Sequence, residues 1–132
     1  PTDWVYGPWP YSGEIDIMEL RGDRPGLDYG TIHWGTTTAS HLQSGGTYLL
    51  PGGAKFSSGF HLFSLEWSVD SLKWFVDGVK FHVEGSGPPF DKRFHLVLNV
   101  AVGGVFPGSP DATTVFPQYM MIDYVRVYAK NH

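Results

Sequence analysis

The 132-residue chain carries 9 Lys and Arg against 13 Asp and Glu, a formal net charge of −4, and only 17% of its residues are charged. That balance excludes the basic stripe a nucleic-acid binder needs, and no apolar run approaches the ~20 residues of a membrane span. The absence of cysteine excludes a disulfide framework and a thiolate metal site. The 9 Phe, 7 Tyr and 5 Trp can fill a core, but a weakly charged chain rich in Trp and Tyr also suits sugars, whose apolar ring faces stack on aromatic rings.

No stretch keeps a helical period; runs of period two bounded by Gly, Ser and Pro recur instead. In chain order, strands are expected at Gly13 to Glu19, Tyr29 to Trp34, Thr47 to Leu50 and Phe60 to Trp67. Leu72 to Val76 and Val79 to Val83 follow, joined at Asp77-Gly78, a dipeptide suited to a type I′ turn with positive φ at both positions. Phe94 to Val102 and Met121 to Tyr128 complete the set. Seven or eight short strands with such turns predict an all-β fold, an antiparallel β-sandwich. In the Phe94 to Val102 strand, Phe94, Leu96, Leu98, Val100 and Val102 share one face. The other, with His95, Val97, Asn99 and Ala101, reads equally as a ligand groove or a half-exposed sheet face. No internal repeat or linker divides the chain, so residues 1–132 read as a single domain or part of one.

The segment Gly13-Glu14-Ile15-Asp16-Ile17-Met18-Glu19 holds the chemistry. On a regular strand Glu14 and Asp16 share a face, and Ile15 and Ile17 point into the opposite layer. Strict alternation would put Glu19 with the isoleucines, and burying an unpaired carboxylate is costly. One extra residue near Ile17-Met18, a β-bulge, would return Glu19 to the side of Glu14 and Asp16. Three carboxyl groups on one face cannot all ionise together, so their pKa values separate. Glycoside hydrolysis uses such a split, one acid protonated and one ionised across the scissile bond. A solvated acidic sheet face and a calcium site are the alternatives that spacing alone leaves open.

The same segment resembles the signature of glycoside hydrolase family 16, in the six-residue Glu-Ile-Asp-Ile-Met-Glu form of its laminarinase-like branch. Further matches run in order along the chain: Gly7-Pro8-Trp9-Pro10, Gly30-Thr31-Ile32-His33, Trp74-Phe75-Val76-Asp77-Gly78, Leu98-Asn99-Val100-Ala101-Val102-Gly103-Gly104 and Asp123-Tyr124-Val125-Arg126-Val127-Tyr128. The resemblance implies a jelly-roll, concanavalin-like sandwich and a retaining endo-β-1,3-glucanase acting on laminarin-type β-glucans. Glu14 would be the nucleophile, Glu19 the general acid and then base, and Asp16 the residue that tunes Glu14. Trp9 would stack beside the cleaved sugar, and His33 and Asn99 would contact the site or the sugar. No cofactor is implied for catalysis; Asp123 matches one ligand of a structural calcium ion. Secretion to the extracellular space and a monomeric state are implied too. Family catalytic domains are about twice this length, so the resemblance places residues 1–132 in the C-terminal portion of such a domain, incomplete at its N-terminus. It further implies that these residues alone are poorly stable and weakly active. A non-catalytic β-1,3-glucan-recognition protein on the same fold is the competing reading. Intact Glu14 and Glu19 favour the enzyme.

Overall fold

The computed structural model describes residues 5–129, so the ends of the 1–132 span lie outside the described residues. The chain divides into two compact units, residues 1–96 and 97–132. The strands lie in the first. β1 (Glu14–Leu20), β2 (Leu27–Trp34) and β3 (Leu42–Leu49) form one antiparallel sheet in that order. β4 (Phe63–Trp67), β5 (Leu72–Val76) and β6 (Val79–Glu84) form a second. The fold is all-β and antiparallel, as the alternation predicts. The β5–β6 hairpin closes at Asp77 (φ 50°) and Gly78 (φ 80°), the paired positive φ values expected of that turn.

The sheets pack through alternate residues. Ile32 of β2, Leu72 and Trp74 of β5, and Phe90 form one buried cluster, with Ile15, Trp34, Leu65, Phe81 and Phe94 against it. Leu50, Phe56 and Val76 form a second, with Tyr48, Phe63 and Phe81 beside it. Leu72, Trp74 and Val76 are fully buried, and each side chain of that size withdrawn from water stabilises the fold by roughly 1.5–3 kcal/mol.

Three expectations need correction at strand boundaries and two at strand existence. The second strand starts at Leu27, two residues before the expected Tyr29. The third strand starts at Leu42, five residues before the expected Thr47. Its Gly45 and Gly46 are strand residues at close approaches, Gly45 against the Gly30 carbonyl and Thr31, Gly46 against the His82 ring. The fourth starts at Phe63 instead of Phe60. Phe94 to Val102 and Met121 to Tyr128 are not strands among the described residues. Period-two patterning specifies a face, but a strand also requires a hydrogen-bonded neighbour and an opposing layer, and no ladder reaches these segments. Phe94 packs on the first core cluster, whereas Leu96, Leu98, Val100 and Val102 are all more than half exposed. The proposed polar face of that segment is likewise exposed from His95 to Ala101. Taken by itself, the second unit is mostly irregular among the described residues, with short turns such as that in which the Asp111 carboxylate accepts from the Thr113 N–H at 2.8 Å and hydroxyl at 2.7 Å.

Candidate active site

The β1–β2 register reads Glu14↔His33, Ile15↔Ile32, Asp16↔Thr31, then Glu19↔Tyr29. Three steps along β1 meet two along β2, so Ile17 and Met18 together oppose Gly30 and β1 carries the extra residue of a bulge. Directly opposed residues share a face. Glu14, Asp16 and Glu19 therefore stand on the face that also carries His33, Thr31 and Tyr29 of β2 and Gln43, Gly45 and Thr47 of β3. Ile15, Ile32 and Ser44 face the other way, toward the second sheet.

The second sheet secures the bulge. The indole N–H of Trp74 donates to the Asp16 carbonyl at 2.8 Å. Its ring lies against Gly30, where a Cβ would come within 2.5 Å of Trp74 Cδ1. Glycine at position 30 is thus a requirement of indole packing beneath the bulge. The buried Trp74 N–H gains the acceptor that burial demands.

Each carboxylate has its own surroundings. Trp9 Nε1–H donates to Glu14 Oε2 at 2.6 Å. Burial and then the neighbouring Asp16 charge push the Glu14 pKa up, while the Trp9 donor and His33 pull it down. The nearby Asp16 side chain adds to the rise at Glu14. Burial, then Asp16, raise Glu19 to about 7; His33 and a hydrogen bond from Thr31 oppose the rise. His33 Nε2 lies 3.1 Å from Asp16 Oδ2, and that contact holds the imidazole pKa above its usual value. The cluster thus contains an acid poised to be protonated at neutral pH beside a carboxylate supplied with a donor.

His41 is the residue that sequence reasoning missed. Its Nε2 lies 2.8 Å from His33 Nδ1, and its ring centroid is 4.8 Å from that of Trp9. A lone histidine in the Thr- and Ser-rich segment between β2 and β3 has no spacing signal. Of the sequence-derived residues, Trp9, Glu14, Asp16, Glu19 and His33 come together in the first unit. Asn99 and Asp123 lie exposed in the second. A cavity of about 760 Å³ lined by Tyr6, Tyr11, Trp34, Leu42 and Pro89 among others includes none of the cluster residues. It is not the place where the carboxylates act.

Ligand atoms of Asp16, Glu19 and His33 fall within 4.8 Å of one another, the one such grouping of three among the described residues. Two carboxylates and an imidazole are a poor match for calcium, which takes six to eight oxygens. Asp123 is outside this grouping and does not by itself form a calcium site.

The sequence model of glycosyl hydrolases family 16 matches residues 4–126. The chain belongs to this family. A glucan endo-1,3-beta-glucosidase A1 of Niallia circulans is 43% identical over 97% of the chain, which covers 21% of that protein. A beta-1,3-glucan-binding protein of Penaeus monodon is 34% identical over 89% of the chain and 40% of its own length. The X-ray structure of an endo-beta-1,3-glucanase from Pyrococcus furiosus superposes with a TM-score of 0.71 at 41% identity, covering 83% of this chain and 44% of that one. The chain spans less than half the length of each of these relatives. The antiparallel architecture agrees with the family's sandwich.

Proposed function

We propose that the protein hydrolyses internal β-1,3-glucosidic bonds of laminarin-type glucans by a retaining double displacement. The observation that supports this reading best is the bulge at Ile17-Met18, which sets Glu14, Asp16 and Glu19 on one face and leaves Glu19 with a pKa of about 7. In the first step a Glu14 carboxylate oxygen attacks the anomeric carbon while Glu19 gives its proton to the departing glycosidic oxygen. In the second, Glu19 takes a proton from water, whose oxygen attacks the same carbon and releases Glu14. Asp16 tunes Glu14 chiefly through its charge, which raises the Glu14 pKa. Trp9, 40% exposed, presents a ring for sugar stacking beside the nucleophile to which it donates. The carboxylates supply the whole chemistry and require no cofactor. We assign Asn99 to sugar contact, and the protein to the extracellular space as a monomer.

The test is release of reducing ends from laminarin by the full-length protein, with anomer-resolved NMR showing the β product first. Glu14→Ala and Glu19→Ala are each expected to lower turnover by several orders of magnitude, with azide restoring part of the Glu14→Ala activity. Near-wild-type turnover in Glu14→Ala refutes the assignment. Glucan binding without turnover in the wild type favours the recognition reading, which one relative's name represents.

A further inference from the structure

We propose that His41 is a positioning residue of this site, one side chain that holds the partners of both Glu14 and Asp16. The inference rests on the hydrolytic reading above and adds a residue to it. The contacts close a ring: Glu14 Oε2 accepts from Trp9 Nε1 at 2.6 Å, and Trp9 packs on His41 at 4.8 Å between centroids. His41 Nε2 meets His33 Nδ1 at 2.8 Å, His33 Nε2 meets Asp16 Oδ2 at 3.1 Å, and Asp16 stands beside Glu14 on the same face of β1.

The link sets a tautomer. A carboxylate only accepts, so His33 Nε2 carries hydrogen toward Asp16. A neutral His33 then accepts from His41 Nε2–H through its Nδ1, and a protonated His33 donates to His41 through the same atom. In either state His41 supplies the aligned bond at Nδ1 and restrains the ring plane, while the Asp16 contact at Nε2 is a close approach without hydrogen-bond alignment. On its other side the His41 ring backs the Trp9 indole, which is otherwise 40% exposed and free to swing from Glu14.

The β2–β3 connection is built to hold this residue. Thr37 caps a single 3₁₀ turn, Thr38–Ser40, in a reciprocal capping box, and His41 is the C-cap. The Ser40 hydroxyl lies 2.8 Å from Thr36 Oγ1 and accepts from the Thr37 N–H at 2.9 Å. Gly35, at φ +148°, lies close under the Ser40 carbonyl, where a Cβ would collide. The connection is thus tied across its own width immediately before His41, so the imidazole is delivered with little loop freedom. Preorganisation of this kind matters because a displacement of about 1 Å at reacting groups can cost about a hundredfold in rate.

The experiment compares wild type, His41→Ala, His41→Phe and His41→Gln in the full-length protein, by laminarin hydrolysis and by the indole N–H proton resonances. The expected result is a fall of about ten- to a hundredfold in kcat for His41→Ala. The Trp9 resonance should also shift upfield as its short bond to Glu14 relaxes, with the Trp74 resonance unmoved. His41→Phe keeps a ring against Trp9 but no bond to His33, so kcat falls while the Trp9 resonance stays. His41→Gln, with an amide able to donate and accept, recovers part of the loss. A kcat for His41→Ala within about twofold of wild type and an unmoved Trp9 resonance overturn the proposal. Movement of the Trp74 resonance with that of Trp9 also overturns it, because the effect is then a general loosening. A wild type that releases no reducing ends refutes the hydrolytic reading alone; the resonances still decide whether His41 holds Trp9.

Discussion

Asp28 should make the protein less stable as pH rises, and Asp28→Asn should remove that penalty. Asp28 is fully buried. It shares the inner side of β2 with Gly30 and Ile32, where burial alternates residue by residue. Backbone N–H groups of Glu19 and Tyr29 approach its carboxylate without closing a well-aligned hydrogen bond to either oxygen. Burial pushes its pKa from an ordinary 3.8 up to about 7. The native state therefore disfavours the ionised form, and the unfolded chain binds fewer protons between these values. No penalty exists below about pH 3.8; it grows through the window to about pH 7 and is constant above it. At roughly 1.4 kcal/mol per pH unit the full penalty is about 4 kcal/mol, a large share of a domain's margin of about 5–15 kcal/mol. Asn has the same shape and no charge. Urea unfolding of wild type and Asp28→Asn at pH 5, 6, 7 and 8 should show a stability difference that widens with pH in favour of Asn. Glu19 titrates in the same window, but its charge is the smallest of the named influences on Asp28, so the difference reports chiefly on position 28. Parallel pH curves would refute the reasoning and show that a proton or an unseen donor already satisfies Asp28 at every pH tested.

The proposed acid role of Glu19 predicts an alkaline limb of kcat/KM near pH 7, because the leaving oxygen needs its proton. Thr31→Val removes a donor that favours ionised Glu19, so this limb should move to higher pH; a stationary limb contradicts the assignment. Trp74→Phe leaves the Asp16 carbonyl at the bulge without its indole donor. Unfolding measurements should show a loss of about 1–3 kcal/mol, and kinetics a fall in kcat. Gly30→Ala drives a methyl into the Trp74 ring and should reduce both stability and turnover more than Trp74→Phe. Equal or smaller effects would show that the indole is not what secures the bulge.

The site was legible where chemistry conflicted with periodicity. Glu19 falls on the wrong face of a regular strand, and an unpaired buried carboxylate is costly, so a bulge follows from seven residues. Asp77-Gly78 was legible because its backbone requirement is local. The start of β3 was not: Gly45-Gly46 carries no apolar alternation, and its reason for being glycine is the crowding by β2 and His82, which only tertiary structure reveals. Asp28 had a signal that reading β2 from Tyr29 cut off, since it has the same parity as buried Ile32. His41 acts through contacts with Trp9 and His33, residues 32 and 8 positions away, and no local pattern encodes that meeting. The alternation in Phe94 to Val102 was present but incomplete as a determinant, because strand formation also depends on partners elsewhere in a chain.

These outcomes share one physical basis. A strand residue's neighbours on its own face lie across the ladder, while its sequence neighbours lie in the other layer. Most of β1 and β2 obeys this rule, which is why Ile15 and Ile32 meet Trp74 in the core while Glu14 and His33 meet on the opposite face. The bulge breaks the rule once, between Asp16 and Glu19. Regular pairing would aim Glu19 at the layer that holds Asp28 and Trp74; the inserted residue aims it at Thr31 and Asp16 instead. The break frees the Asp16 carbonyl to meet a donor from the second sheet, and Trp74 supplies one. Core packing and carboxylate geometry are therefore joined at one backbone group. A substitution under the bulge should change the relation between Glu19 and Glu14 before it touches any group that meets sugar.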